Sequence, residues 1–241
     1  MDALTGAGIT IVGAGRLGHA LASAMRGAEL QVSGPVGRGS NGEGADIVLL
    51  CVPDSSIAEA ARLIDPGRLV GHCSGASTLA PLGGREGFSM HPLMTVAGRN
   101  LSVSFAGAGC AVAGSTERAR TVAVALAERL LMKPFAVADA DRDLYHAAAS
   151  MASNYLVTLE AAAERLAVLA GVRRELLAPL VRAAVENWAR AGARKALTGP
   201  IVRGDVATAE RQEAAVAARA PELLPLWTAL ALATRTLAHT E

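Results

Sequence analysis

The chain has 241 residues, 51% of them hydrophobic and 19% charged, so it is long enough to bury a substantial core and too apolar to stay disordered. A formal net charge of +1 supplies no overall field for nucleic acid, and 3% aromatic residues leave few platforms on which bases stack. The three cysteines, Cys51, Cys73 and Cys110, are scattered without metal-ligand spacing; they read as small core residues in a reducing compartment, with no metal expected.

The N-terminus, Met1-Asp2-Ala3, lacks the basic start of a signal peptide, and apolar runs such as Ile47–Val52 are too short to span a bilayer. A cytoplasmic protein without a membrane or nucleic-acid partner is therefore expected. Ile9–Val12 reads as a β-strand that enters Gly13-Ala14-Gly15-Arg16-Leu17-Gly18 and continues as a helix through Ala20–Met25. In such a turn the first glycine permits the sharp bend. The second lets backbone approach a pyrophosphate, and the third lets helix pack on strand, while the N–H groups opening the helix face the anion. The other meaning of the same letters is a glycine turn that only packs a strand against a helix. Arg16 sharpens the choice, because a cation in the first turn opposes the helix dipole unless an anion sits beside it; a guanidinium reaching solvent is the alternative.

A second strand is expected near 30–33. The window after it contains no carboxylate to hold a ribose 2′-hydroxyl, whereas Arg38, followed by Ser40 and Asn41, is suited to a 2′-phosphate. NADP is thus favoured over NAD, with Arg38 as an ordinary loop residue the alternative. Asp46–Val52 is a continuous apolar run of the kind found in parallel strands covered on both faces, and only about a dozen residues separate it from the second strand, too few for a further strand with its helix. Val52 and Pro53 end that strand beside the expected cofactor, and Asp54 or Ser55 reads as the cap of a helix over 57–64. Strands are expected at 68–72, 87–90, 109–113 and 134–138, and a helix over 115–132 capped by Ser115 or Thr116. The sum is an α/β, doubly wound, mostly parallel sheet of the Rossmann type over residues 1–138. From residue 139 to 241 long alanine- and leucine-rich spans (140–170, 173–191, 206–218 and 223–238) predict an all-helical domain, which suits a substrate site at the domain boundary.

Ligands of open α/β sheets sit beyond the carboxyl ends of the strands. Ser74 and Gly75, after one strand, are placed to touch cofactor or substrate, and His91, after another, to orient substrate or simply to hold its turn; His72 and Thr95 are weaker candidates. On the helix that follows, His146, Ser150 and Asn154 recur at four-residue steps among alanines, so they share one face. His146 suits proton transfer near neutrality, and Ser150 and Asn154 suit a carbonyl, a carboxylate or a ribose; a helix–helix hydrogen-bond ladder would use the same pattern. Arg203, in the stiff segment Leu197–Asp205, suits a bidentate grip on a substrate carboxylate, and Asp205 suits a helix cap.

These motifs carry a resemblance. G-A-G-R-L-G, V-P-D, H-C-S-G-A, H-P-L-M-T, H-A-A-A-S-M-A-S-N and L-T-G-P-I-V-R-G-D occur in this order nearly end to end. Together they resemble a bacterial family of Rossmann-like proteins whose C-terminal helical domain is of unknown function, within the 6-phosphogluconate dehydrogenase-like superfamily. Pyrroline-5-carboxylate reductase and ketopantoate reductase are relatives. The resemblance implies NAD(P) binding and a homodimer built through the helical domains. Ketopantoate reductase carries a lysine and asparagines at four-residue steps on the corresponding helix; His146 in place of the lysine departs from that pattern and leaves the substrate open.

The resulting expectation is an NADP-dependent reductase acting on a C=O or C=N carbon of a small carboxylate-bearing molecule, with a ketopantoate-like 2-oxo acid ahead of a cyclic imine. Gly13, Ala14, Gly15, Arg16, Leu17, Gly18, Arg38, Val52, Pro53 and Ser74 would hold the cofactor. His146, Ser150, Asn154 and Arg203 would act on substrate. The rival expectation is an NADP-binding regulatory module without turnover.

Overall fold

The computed structural model describes residues 3–98 and 103–239; Met1 and Asp2 of the N-terminal reading lie outside the described residues. The apolar runs form a seven-stranded sheet of β1 (Ile9–Val12), β2 (Val32–Val36), β3 (Ile47–Leu50), β4 (Leu69–His72), β5 (Gly87–Leu93), β6 (Gly109–Gly114) and β7 (Lys133–Phe135), in the order β2-β1-β3-β4-β5-β6-β7. The first five strands are parallel; β6 runs antiparallel to β5, and β7 is parallel to β6. This is the expected doubly wound, mostly parallel sheet.

Strand residues alternate between two buried layers, as a sheet covered on both faces requires. Ile9, Ile11, Leu49 and Phe88 pack with Leu21 and Met25 of α1 (Arg16–Gly27) and Val122 and Leu126 of α3 (Glu117–Arg129). Val12, Val48, Leu50 and Val70 pack on the other face with Ile57 and Ala60 of α2 (Ile57–Leu63). Residues 37–46 join β2 to β3 without a strand or helix, so β2 is the sheet's edge beside β1.

Several boundaries differ from expectation for local reasons. β2 starts at Val32 rather than Leu30 because the Leu30 N–H is still engaged by the Met25 carbonyl as the chain leaves α1. Thr116 caps α3 by accepting from the Ala119 N–H, as read from sequence, but Asp54 caps nothing. A 3₁₀ turn, Asp54–Ser56, precedes α2, and the Asp54 carboxylate is engaged elsewhere.

The chain divides into two compact units, Met1–Ser153 and Asn154–Glu241. The first ends in α4 (Arg142–Ser150). The expected continuous helix over 140–170 is broken by a π-helical turn, Met151–Tyr155, before α5 (Leu156–Leu169). The Ser153 hydroxyl donates to the Ala149 carbonyl and the Thr158 hydroxyl to the Asn154 carbonyl, so side chains compete for the helical ladder on either side of this turn. The second unit continues with α6 (Arg174–Ala191), α7 (Ala193–Ala196), α8 (Val206–Arg219) and α9 (Leu224–His239). Asp205 caps α8, accepting from the Thr208 N–H. No helix among the described residues is long and apolar enough to cross a membrane.

Candidate active site

Four carboxyl-end loops of the sheet, the start of α1 and one side chain of α4 surround a cleft of about 450 Å³ in the first unit. Gly15, Arg16 and Leu17 line one end; Cys51, Val52, Pro53 and Asp54 follow β3, Cys73, Ser74 and Gly75 follow β4, and His91 comes from β5. His146 reaches the cleft from α4.

The three glycines of the turn differ in the space around them. A Cβ at Gly13, whose φ is +113°, would stand 2.3 Å from the Cys51 carbonyl oxygen, and one at Gly18 would stand 2.0 Å from the Gly13 carbonyl oxygen. Both positions are closed by backbone. A Cβ at Gly15 would meet nothing within 4 Å. The one open glycine is the one that lines the cleft. Gly15 is also the N-cap of a twelve-residue helix with no side-chain cap and no acid in its first turn, so its N–H groups remain available to an anion. The exposed Arg16 reaches the Ala97 carbonyl at 3.5 Å, a long contact that leaves donors to spare. Arg38 stands exposed in the turn after β2 and makes no hydrogen bond or ion pair among the described residues. The Gly13 N–H donates to Val36 at the end of that strand, which ties the Arg38 turn to the glycine turn.

The loop after β4 is held by a buried histidine. His72 accepts at Nδ1 from the Ser74 N–H (3.2 Å), so its Nε2 carries the proton and donates to the Thr78 carbonyl (3.0 Å). The Ser74 hydroxyl donates to Asp54 (2.7 Å) and accepts from the Ser77 N–H (2.9 Å), linking the β3 and β4 loops across the cleft wall. Cys51 and Cys73 lie side by side below, sulfur to sulfur 3.8 Å; the contact with Cys51 and burial raise the Cys73 thiol well above its ordinary range.

His91 and Tyr145 form a second pair, Nδ1 to hydroxyl 2.7 Å. Burial lowers His91 to about 4, and neighbouring His146 adds to the fall; burial raises Tyr145 to about 12. Burial also lowers His72, against the opposing hydrogen bond to Thr78. At neutral pH both His72 and His91 are uncharged and Tyr145 is a phenol. The His91 and His146 rings face each other edge-on with centroids 6.2 Å apart. Arg142, buried at the start of α4, is fixed by Asp139 (2.9 Å) and the Ser89 hydroxyl (3.4 Å) and so anchors the helix that carries Tyr145 and His146.

The lowered histidines set the acid response. Their folded values lie below the ordinary 6.5, so below pH 6.5 the unfolded chain takes up protons that the folded chain refuses, and stability falls. The loss attributable to His91 has a slope of about 1.4 kcal/mol per pH unit and ends near pH 4, where the folded ring also protonates. Denaturant unfolding at steps from pH 7 to 4.5 should show this fall, and His91→Asn should flatten it; equal slopes in the two proteins would refute the assignment.

Of the residues expected from sequence, Gly15, Arg16, Leu17, Val52, Pro53, Ser74 and His146 line the cleft, and Gly13, Ala14 and Gly18 shape its turn. Ser150 is half-buried one turn beyond His146. Asn154 and Arg203 belong to the second unit, Asn154 in the π turn and Arg203 exposed in the loop before α8. Tyr145 escaped the sequence reading, although it adjoins His146 and is one of only two tyrosines in the chain. Asp54, a helix cap by its local sequence, is instead a wall of the cleft. Among the described residues no group of three or more His, Cys, Asp or Glu side chains is placed to hold a metal ion.

Residues 108–234 match the family described as Domain of unknown function (DUF2520). Protein TM1727 from Thermotoga maritima has a similar structure at a TM-score of 0.76 and 23% identity, covering 95% of this chain and 98% of that one. Protein BF3122 from Bacteroides fragilis gives a TM-score of 0.81 at 19% identity, over 95% and 98% of the two chains. Pyrroline carboxylate reductase from Plasmodium falciparum, solved with NADP bound, gives 0.62 at 14%, over 97% and 98%. At these identities the likeness is one of fold. No curated protein sequence matches the chain.

Proposed function

The chain belongs to the family described as Domain of unknown function (DUF2520), and we propose that it is an NADP-dependent reductase of a C=O or C=N carbon in a small carboxylate-bearing substrate. One observation carries the reading: the only open glycine of the turn, Gly15, lines the same cleft as Ser74, His91 and His146. When bound, NADPH supplies the hydride. The free N–H groups of Gly15, Arg16 and Leu17 would hold its pyrophosphate with the Arg16 guanidinium, and Arg38 would hold its 2′-phosphate. Ala14, Val52, Pro53 and Ser74 would flank it. Two similar folds were solved with this cofactor, the Plasmodium falciparum enzyme with NADP and a reductive aminase from Aspergillus terreus with NADPH.

His146 delivers the proton to the acceptor's oxygen or nitrogen, and Ser150 orients the acceptor. Asn154 and Arg203 take the roles their chemistry allows, an amide for the carbonyl and a guanidinium for the carboxylate. A ketopantoate-like 2-oxo acid is the first substrate class and a cyclic imine the second. The test is to follow NADPH absorbance with a panel of 2-oxo acids and cyclic imines. Oxidation by one class is expected; bound NADPH left unoxidised by both would instead leave a regulatory module without turnover.

A second copy of the chain completes the protein. In the second unit only Val216 and Ala220 are buried among the described residues, while Leu176, Leu180, Ala184 and Trp188 form an exposed stripe at four-residue steps along α6. An apolar stripe of this kind is stabilised by a like surface. Light scattering should report twice the 24.5 kDa chain mass, and Leu180→Glu should halve it; a monomeric parent protein would refute this part of the proposal.

A further inference from the structure

We propose that His91, oriented by Tyr145, donates a hydrogen bond from Nε2–H to the reducible group in the cleft, a role separate from the proton delivery assigned to His146. The inference rests on the reductase reading and adds a catalytic residue, His91, and a positioning residue, Tyr145, to it.

The tautomer follows from the partner. A phenol is a stronger donor than a neutral imidazole N–H, and an imidazole nitrogen is a stronger acceptor than a phenol oxygen. Across the 2.7 Å contact Tyr145 therefore donates to His91 Nδ1, and the ring proton sits on Nε2. The ring's place is fixed as well. It lies flat on Gly75: a Cβ there would stand 2.8 Å from Cε1, 2.9 Å from Nδ1 and 3.0 Å from Nε2. Any side chain at 75 would displace the imidazole. Tyr145 is set in turn by an edge-on contact with Phe135, ring centroids 5.9 Å apart. His91 lines the cleft, whereas Tyr145 is absent from its lining and stands behind the ring.

A neutral imidazole so held is a preorganised dipole. As charge gathers on the acceptor's oxygen or nitrogen, the Nε2–H stabilises it without reorganising. The proton that completes the reduction comes from His146. His91 keeps its own, because losing it would leave an imidazolate backed only by a phenol. Burial keeps the ring uncharged at neutral pH, so its Nε2–H meets the acceptor as a neutral donor.

The test uses full-length protein labelled with ¹⁵N-histidine. In the free protein, His91 should show a protonated Nε2 and an unprotonated Nδ1, and Tyr145→Phe should abolish that preference. With NADP⁺ bound no reduction can occur, so pyruvate and pyrroline serve as inert probes of the two acceptor classes. At least one should shift the His91 Nε2 resonance. His91→Phe should weaken that probe about tenfold, and Tyr145→Phe should weaken it less. His91→Gln, which keeps an N–H donor, should restore much of the affinity, and NADP⁺ affinity should not change in any variant. An Nδ1–H tautomer, or an Nε2 resonance unmoved by both probes, overturns the proposal. Failure of NADP⁺ to bind would instead overturn the reductase reading, while the tautomer of the free protein still judges the His91–Tyr145 pair.

Discussion

Replacing His146 with alanine should lower turnover by about 10²–10⁴, the usual worth of a positioned acid, while fold and NADPH affinity stay unchanged. The side chain is exposed, and among the described residues its one ring contact is the edge-on approach to His91. Its removal opens no cavity and strands no buried polar group, so a loss of turnover cannot be attributed to a loss of stability. The expected signature is a lower turnover with NADPH affinity kept, because the proton is needed only as the acceptor's heteroatom gains charge. The substitution also removes one of the influences that lower His91, so the acid limb of its titration moves upward. Steady-state kinetics on the substrate found in the panel screen provide the check. Parental turnover in a folded His146→Ala protein would remove this residue from the mechanism.

The glycine turn offers the second large effect, as a contrast between neighbours. Gly18→Ala forces a Cβ to within 2.0 Å of the Gly13 carbonyl oxygen, a backbone atom that cannot rotate away. Helix α1 must then lift from β1, at about 3 kcal/mol, the upper end for overpacking a closed site. Gly15→Ala meets open space, its φ of −80° suits any residue, and stability should change by less than about 1 kcal/mol. Cofactor binding should respond in the opposite sense. The new methyl group occupies the surface where pyrophosphate approaches, so NADPH affinity should fall about tenfold or more. Thermal melts and cofactor titration on the two proteins separate packing from binding. Equal NADPH affinity in Gly15→Ala and the parent protein would place the pyrophosphate elsewhere.

The glycine turn was legible in the sequence because three backbone demands fall within six residues. The cap at Thr116 and the cap at Asp205 were legible because donor and acceptor lie three residues apart. What escaped depends on partners far away in the chain. Asp54 looks like a cap when read locally, but its hydrogen bond comes from Ser74, twenty residues on, after a 3₁₀ turn displaces the helix start. The partner of Tyr145 is 54 residues away, so no spacing rule connects it to His91. The reversal of β6 was equally invisible, because an apolar run predicts a buried strand but not its direction. The π turn did leave a local trace: Ser153 and Thr158 each bond a carbonyl four residues back, a competition that an alanine-rich background hides.

The central claim, that this turn and cleft hold NADPH, is tested most directly by titrating the protein with NADPH and with NADH and following nicotinamide fluorescence, in the parent protein and in Arg38→Ala. Tight NADPH binding, weak NADH binding and a preference that disappears with Arg38 are expected. Folded protein, free of copurified nucleotide, that binds neither cofactor would contradict the claim.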